Sequence, residues 1–251
     1  MKYLLSLLAV TVALPAFAQE NATQALLKRL PTLPFHEESV GSPGAKDAPK
    51  TEGKGAFVGS ALLVDAAFTA QYENTPPSAP FMVAVPKSDD VTVIPGSKKN
   101  GATELVKIAS TTPDKQPIEI LHLMDFRVPM QAEPGDRLKA CFHLLVTQGL
   151  PAVTKGYDDA KYIAAYATKV GTYDAVCVHA HMTKPKTGEH YAVKLVGILH
   201  PKQAGGVMAF LMANTKLSEV KQPSDLTSKG MGLQIIHSLR FVEATKTPAK
   251  P

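Results

Sequence analysis

Apolar and polar positions along the chain change their period several times, and each change predicts an element. From Arg137 to Gln148, Leu138, Cys141, Phe142, Leu145 and Val146 recur at i, i+3, i+4, i+7 and i+8. That is one face of a helix, with Asp136 as its cap and Gly149 and Pro151 as its stop. Tyr162, Ile163, Tyr166, Ala167 and Val170 suggest a second helix over Asp158–Val170, ended by Gly171. The period then shortens to two. Asp174–Lys184 and His190–His200 read as a hairpin around Pro185–Gly188. Val207–Ala213 adds a strand. A helix weakened by Gly230 and Gly232 starts near Pro223, capped by Ser224 or Asp225, and Gln234–Val242 re-enters the sheet. Upstream, Phe81–Val85, Val91–Ile94, Glu104–Ala109 and Glu119–Leu123 are short β-type runs separated by prolines and turn residues. Ala56–Tyr72 fits a strand pair or a helix equally well.

The ends of the chain are of a different kind. Lys2, the apolar run Leu4–Leu14, the break at Pro15 and the small residues Ala16 and Ala18 form an export signal over residues 1–18, cut before Gln19. The run is too short to span a membrane, for which roughly 20 apolar residues are needed. Residues 19–55 gather prolines and glycines and read as a flexible arm or linker, in which His36-Glu37-Glu38 would be solvated. Residues 56–243 form a single α+β domain, and 244–251 a disordered tail. The expected class is α+β: an antiparallel sheet flanked by helices, an α/β/α sandwich with a flexible N-terminal arm.

The chain has 251 residues, 45% of them hydrophobic and 20% charged, enough to bury a core and too few charges for a disordered chain. The 27 basic and 22 acidic residues include no Arg/Lys stripe interleaved with aromatics, which argues against nucleic acid as a partner. The only cysteines are Cys141 and Cys177. In an oxidising compartment two cysteines suggest a bridge, whereas Cys141 on an apolar helical stripe suggests a buried free thiol; both remain open.

From Phe81 to Val242 the order of strand pairs, helices, long hairpin, strand, helix and closing strand resembles the PsbP-like α/β/α sandwich. Ile235-Ile236-His237-Ser238-Leu239-Arg240-Phe241 is similar to the I-x-x-S-x-R-F ending of such domains. The resemblance implies a non-catalytic scaffold or binding domain and carries no catalytic residues.

One constellation stands out for chemistry. Alternation puts Cys177, His179, His181 and Thr183 on one face of their strand. A turn setting Lys184 opposite Glu189 places Thr183 against His190, His181 against Ala192 and His179 against Lys194. Cys177, His179, His181 and His190 would then share a face and could hold zinc or copper. Lys194 on the same face would repel a cation. Gly-x-Ser-x-Gly, His-Glu-x-x-His and Gly-rich phosphate loops are absent from the sequence. The leading expectation is a periplasmic or secreted binding or accessory protein, not an enzyme, with an envelope protein as partner and no membrane anchor after signal cleavage. A zinc- or copper-binding protein and an envelope hydrolase with a dispersed site are the alternatives.

Overall fold

The computed structural model describes residues 33–38, 59–96, 103–130 and 133–242. The export signal, most of the arm and the tail after Val242 lie outside these residues.

The chain opens with β1 (Gly59–Val64), the one-turn α1 (Ala66–Ala70) capped by the Asp65 carboxylate, and β2 (Phe81–Pro86). Then come β3 (Val91–Pro95), β4 (Glu104–Thr111) and β5 (Pro117–Arg127). A long helical rod follows: α2 (Pro134–Leu144), a π turn (Leu145–Gly149) and α3 (Leu150–Thr154). Four long strands meander after it: β6 (Asp158–Val170), β7 (Tyr173–Thr183), β8 (His190–Leu199) and β9 (Gly205–Asn214). A 3-10 turn (Pro223–Thr227), α4 (Met231–His237) and the two-residue β10 (Arg240–Phe241) close the described chain.

Seven strands form one antiparallel sheet in the order β3-β4-β5-β9-β8-β7-β6, and β1-β2-β10 form a small second sheet. The class is α+β, as expected. Both faces of the large sheet are covered. Val176, Val178, Ala180, Met182, Val193 and Leu195 meet the helical rod, in a core that contains Cys141 and Leu145. Ala175, Cys177, Ala192, Val196 and Ile198 point the other way, into a core shared with the small sheet and with Leu226, Leu233, Ile235 and Ile236. The period-two alternation of the long hairpin therefore sorts side chains between two interiors rather than between a core and solvent.

Three helical expectations change. Asp158–Val170 is a strand, because pairing along the whole of β7 overrides an ambiguous Ala- and Tyr-rich local pattern. Tyr166, Thr168 and Val170 are buried at spacing two, while Tyr162 and Ile163, which the helical reading turned inward, are exposed. Gly171 closes a two-residue hairpin loop: its φ of +60° is one that a Gly-X turn requires and most side chains avoid. The rod, in turn, starts earlier and runs through Gly149 to Thr154. Gly149 has helical φ −62°, and the π turn before Pro151 accommodates a residue that cannot donate a backbone hydrogen bond. Finally, Gln234–His237 are helical, and the closing strand shrinks to Arg240–Phe241 in the small sheet. Gly230, at φ +104°, separates the 3-10 turn from α4 where one helix was expected.

The cysteines lie in different cores, on opposite faces of the sheet, and both thiols are free and buried. The rod approaches the sheet closely at Gly197. A Cβ there would stand 2.5 Å from Cys141 Sγ and 3.0 Å from Phe126 Cε1. Gly197→Ala is expected to lower stability by about 1–3 kcal/mol through overpacking, read by urea denaturation, with partial recovery in Gly197→Ala/Cys141→Ala.

β6 is an edge strand. Its first half carries Asp158, Asp159 and Lys161 and two bulges, devices that discourage pairing with another chain. Its second half takes a partner from the same chain: Phe35 bridges Ala167 in parallel, with His36 N donating to Ala167 O at 2.9 Å and Ala167 N to Pro34 O at 2.8 Å.

Candidate functional site

The bridge at Ala167 carries the chain to a polar cluster between the large sheet and α4. Lys194 lies in a run of nine buried residues from Tyr191 to Leu199 and is 0% exposed. An ammonium group in such a place needs a counter-charge. The hairpin register has Lys194 opposite His179, Ala192 opposite His181 and His190 opposite Thr183, as the turn chemistry predicts. Lys194 Nζ donates to Glu38 Oε2 at 2.6 Å and to Leu226 O, on the 3-10 turn, at 2.9 Å. Glu38 belongs to the short docked segment, and its side chain is 1% exposed. The expectation of a solvated His36-Glu37-Glu38 triplet therefore fails at its last residue.

Four groups converge on this one carboxylate. Lys194 and His237 Nε2, the latter at 3.0 Å, meet Oε2. Tyr166 Oη at 2.7 Å and Cys177 Sγ at 3.3 Å meet Oε1. Each comes from a different element: β8, α4, β6 and β7. The N-terminus of α4 is fixed from beneath by buried Glu119 on β5, whose Oε2 accepts from Gly232 N at 2.8 Å, so the last residue of that helix, His237, is held over the sheet. His179 completes the cluster. Its Nδ1 meets Pro223 O at 2.7 Å, and since that carbonyl can only accept, Nδ1 carries the proton. In the neutral ring Nε2 is then an acceptor, 2.9 Å from Tyr166 Oη, so the single Tyr166 proton is shared between the imidazole and Glu38.

The protonation states follow from these surroundings. Burial by itself would raise the Glu38 carboxyl, but the His237 hydrogen bond, the Lys194 charge and hydrogen bond and the Tyr166 hydroxyl outweigh it and hold the group well below the usual carboxylate range. Burial, helped by the Lys194 charge, pushes His179 down to about 4, which keeps it neutral near pH 7. Burial pushes the Tyr166 hydroxyl and the Cys177 thiol up, and the neighbouring Glu38 carboxylate adds to both. Cys141, buried in the other core, is pushed up as well. Burial keeps the Cys177 thiol protonated, and the fall to about 4 makes the His179 imidazole a weak base.

Of the four residues expected to share a metal-binding face, Cys177 and His179 reach the cluster, with Glu38, Tyr166 and Pro223 as their partners. His181 is half-buried one pleat away. His190 sits at the exposed mouth of the hairpin, its Nδ1 3.0 Å from Thr183 Oγ1. Among the described residues no group of three or more His, Cys, Asp or Glu is placed to hold a metal ion. Zinc or copper bound through His179 Nε2 would have to displace the Tyr166 hydroxyl. Elemental analysis is expected to give the same metal content for wild type and for His179→Ala/His181→Ala; a stoichiometric metal lost in that variant would establish the four-residue site.

Glu38, Tyr166 and His237 were missed as site residues. The signal was available in Lys194: a lone cation inside an otherwise apolar strand implies a buried anion somewhere in the chain. Two surface concavities lie elsewhere, one beside Arg137, Tyr173 and Pro201, the other beside His190, Asn214 and Lys216. Neither is lined by a member of the cluster. Among the described residues no helix is long and apolar enough to cross a membrane.

No family model matches the chain, and no curated protein sequence matches it. Solved structures are similar to it at low identity and with TM-scores below 0.5. A Bacteroides thetaiotaomicron protein is 12% identical at a TM-score of 0.39, over 74% of this chain and 49% of the other, so the chain spans about half the length of that protein. LpqN, involved in cell envelope biogenesis of Mycobacterium tuberculosis, is 14% identical at 0.42, over 72% and 90%. The Saccharomyces cerevisiae Ran-binding protein Mog1p is 10% identical at 0.38, over 72% and 95%.

Proposed function

We propose that this chain is an exported, non-catalytic binding or accessory protein of the periplasm or cell exterior, built on a PsbP-like α/β/α sandwich and acting through an envelope protein partner. The observation that carries the reading is the state of the Glu38 cluster. Its carboxylate, ammonium, imidazoles, phenol and thiol are spent on one another, and the carboxylate at its centre is closed to solvent. Hydrolysis needs a nucleophile beside a base whose pKa lies near the working pH, with room for substrate. Here the reactive groups instead hold a piece of chain against the body. The export pattern at residues 1–18 supplies the compartment.

Two measurements test the proposal together. Expressed with its own leader in a bacterium, the protein is expected in the periplasmic or extracellular fraction, with Gln19 as its first residue by mass spectrometry. Cross-linking in the intact envelope, followed by purification, is expected to yield a defined stoichiometric complex, while the isolated protein turns over no ester, amide or phosphoester. An uncleaved cytosolic protein, or turnover that survives purification to homogeneity, would overturn the reading.

A further inference from the structure

The cluster has an asymmetry. Its donors are anchored to the body without help from Glu38: Lys194 also bonds Leu226 O, Tyr166 rests against His179, and His179 is tied to Pro223 O. The acceptor arrives on a short segment, whose Leu33 packs against the core and whose His36 meets the Tyr166 ring edge-on at 5.1 Å. Residues 33–38 make one β-bridge and two main-chain hydrogen bonds to Ala167, and Phe35, their largest side chain, is 61% exposed. Leu33 gives the segment an apolar hold at its start, where it packs partly buried against the core under the rod; at the other end the buried carboxylate holds it. Four donors from four elements surround its two oxygens in pairs, two on Oε2 and two on Oε1. One ammonium balances one negative charge, so the pocket is matched to a planar monoanion rather than to a phosphate.

We propose that the pocket formed by Tyr166, Cys177, Lys194 and His237 is a carboxylate-binding site whose tethered occupant is the chain's own Glu38, and that it accepts another carboxylate when Glu38 is withdrawn. The ligand class is a group of the form –CH2–COO−, supplied by a small acid or by an acidic side chain on an extended peptide. The peptide source has an additional hold, because its main chain can pair with Ala167 as residues 34–36 do. The tether gives Glu38 a high local concentration, so an outside carboxylate competes poorly with it in the intact protein.

The test uses the full chain. Glu38→Ala deletes a fragment the size of acetate. Sodium acetate is expected to raise the melting temperature of Glu38→Ala above that in sodium chloride of equal ionic strength. The rise should be about 5–10 °C once acetate stands about a hundredfold above its dissociation constant. It should leave wild type and Glu38→Gln unmoved, since both fill the pocket. An end-blocked hexapeptide with the sequence of residues 33–38 distinguishes the sources: stabilisation of Glu38→Ala at lower concentration than acetate, abolished when its last residue is Gln, identifies a peptide-borne carboxylate. Stabilisation by acetate alone identifies a small acid. If Glu38→Ala does not fold unaided, recovery of soluble protein on dilution from urea into acetate, against chloride, is the readout. Equal behaviour of Glu38→Ala in acetate and chloride, or an equal acetate effect on Glu38→Gln, overturns the proposal.

Discussion

Glu38→Ala is expected to destabilise the protein by about 3–5 kcal/mol, the cost of leaving a buried ion without its partner. Lys194 is wholly buried, and its remaining partner is the neutral Leu226 carbonyl. His237 and Cys177 lose this acceptor in the same step, while Tyr166 keeps His179 Nε2. Removing both charges in Glu38→Leu/Lys194→Met should cost less than the two single changes added together, because no orphaned ion remains. Urea denaturation at neutral pH measures all four species. Glu37→Ala, one residue away on the exposed side of the segment, should fall within about 0.5 kcal/mol of wild type, as ordinary surface substitutions do.

Acidification should weaken the protein before any ordinary carboxyl titrates. His179 protonates at about 4 in the folded protein, against about 6.5 in an unfolded chain. Between these values the unfolded state binds the extra proton, so stability is complete above about 6.5 and falls with the pH through the folded value. The shift corresponds to about 3 kcal/mol in all, most of it lost by pH 4.5. Glu38, held below the usual carboxylate range, takes up the decline below about 4.5, and His200, also lowered by burial, acts in the same direction. Glu119 opposes them: burial raises its carboxyl, so the folded state gains that proton first. His179→Gln isolates the dominant group. Its unfolding free energy should fall by about 2–3 kcal/mol less than that of wild type between pH 7.5 and 4.5, and equal slopes would remove His179 from the account.

Legibility followed the range of the interactions. The long hairpin and its register could be read because Pro185–Gly188 and the alternation Val176–Thr183 are local, and one face had to be apolar. The rod was visible through the stripe from Leu138 to Val146, but its extension past Gly149 was not: a π turn depends on contacts with the sheet, as at Leu195. β6 was misread because Tyr162 and Ile163 owe their exposure to an edge position that the sequence does not mark. The site was half legible. Cys177 and His179 were placed on the right face, yet Glu38 lies 139 residues from Cys177 and 156 from Lys194, in a proline- and glycine-rich stretch with no periodicity to announce a docked segment. A carboxylate from the arm covers part of the face that Cys177 and His179 share.

Glu38 and Lys194 act as one unit in fastening residues 33–38 to the body. A double-mutant cycle across Glu38→Gln and Lys194→Met, read by urea denaturation at pH 7.5, measures that coupling directly. An interaction of about 2–3 kcal/mol is expected. Additive effects, with a coupling inside about 0.5 kcal/mol of zero, would mean that the two charges do not meet, and would contradict their acting as one unit.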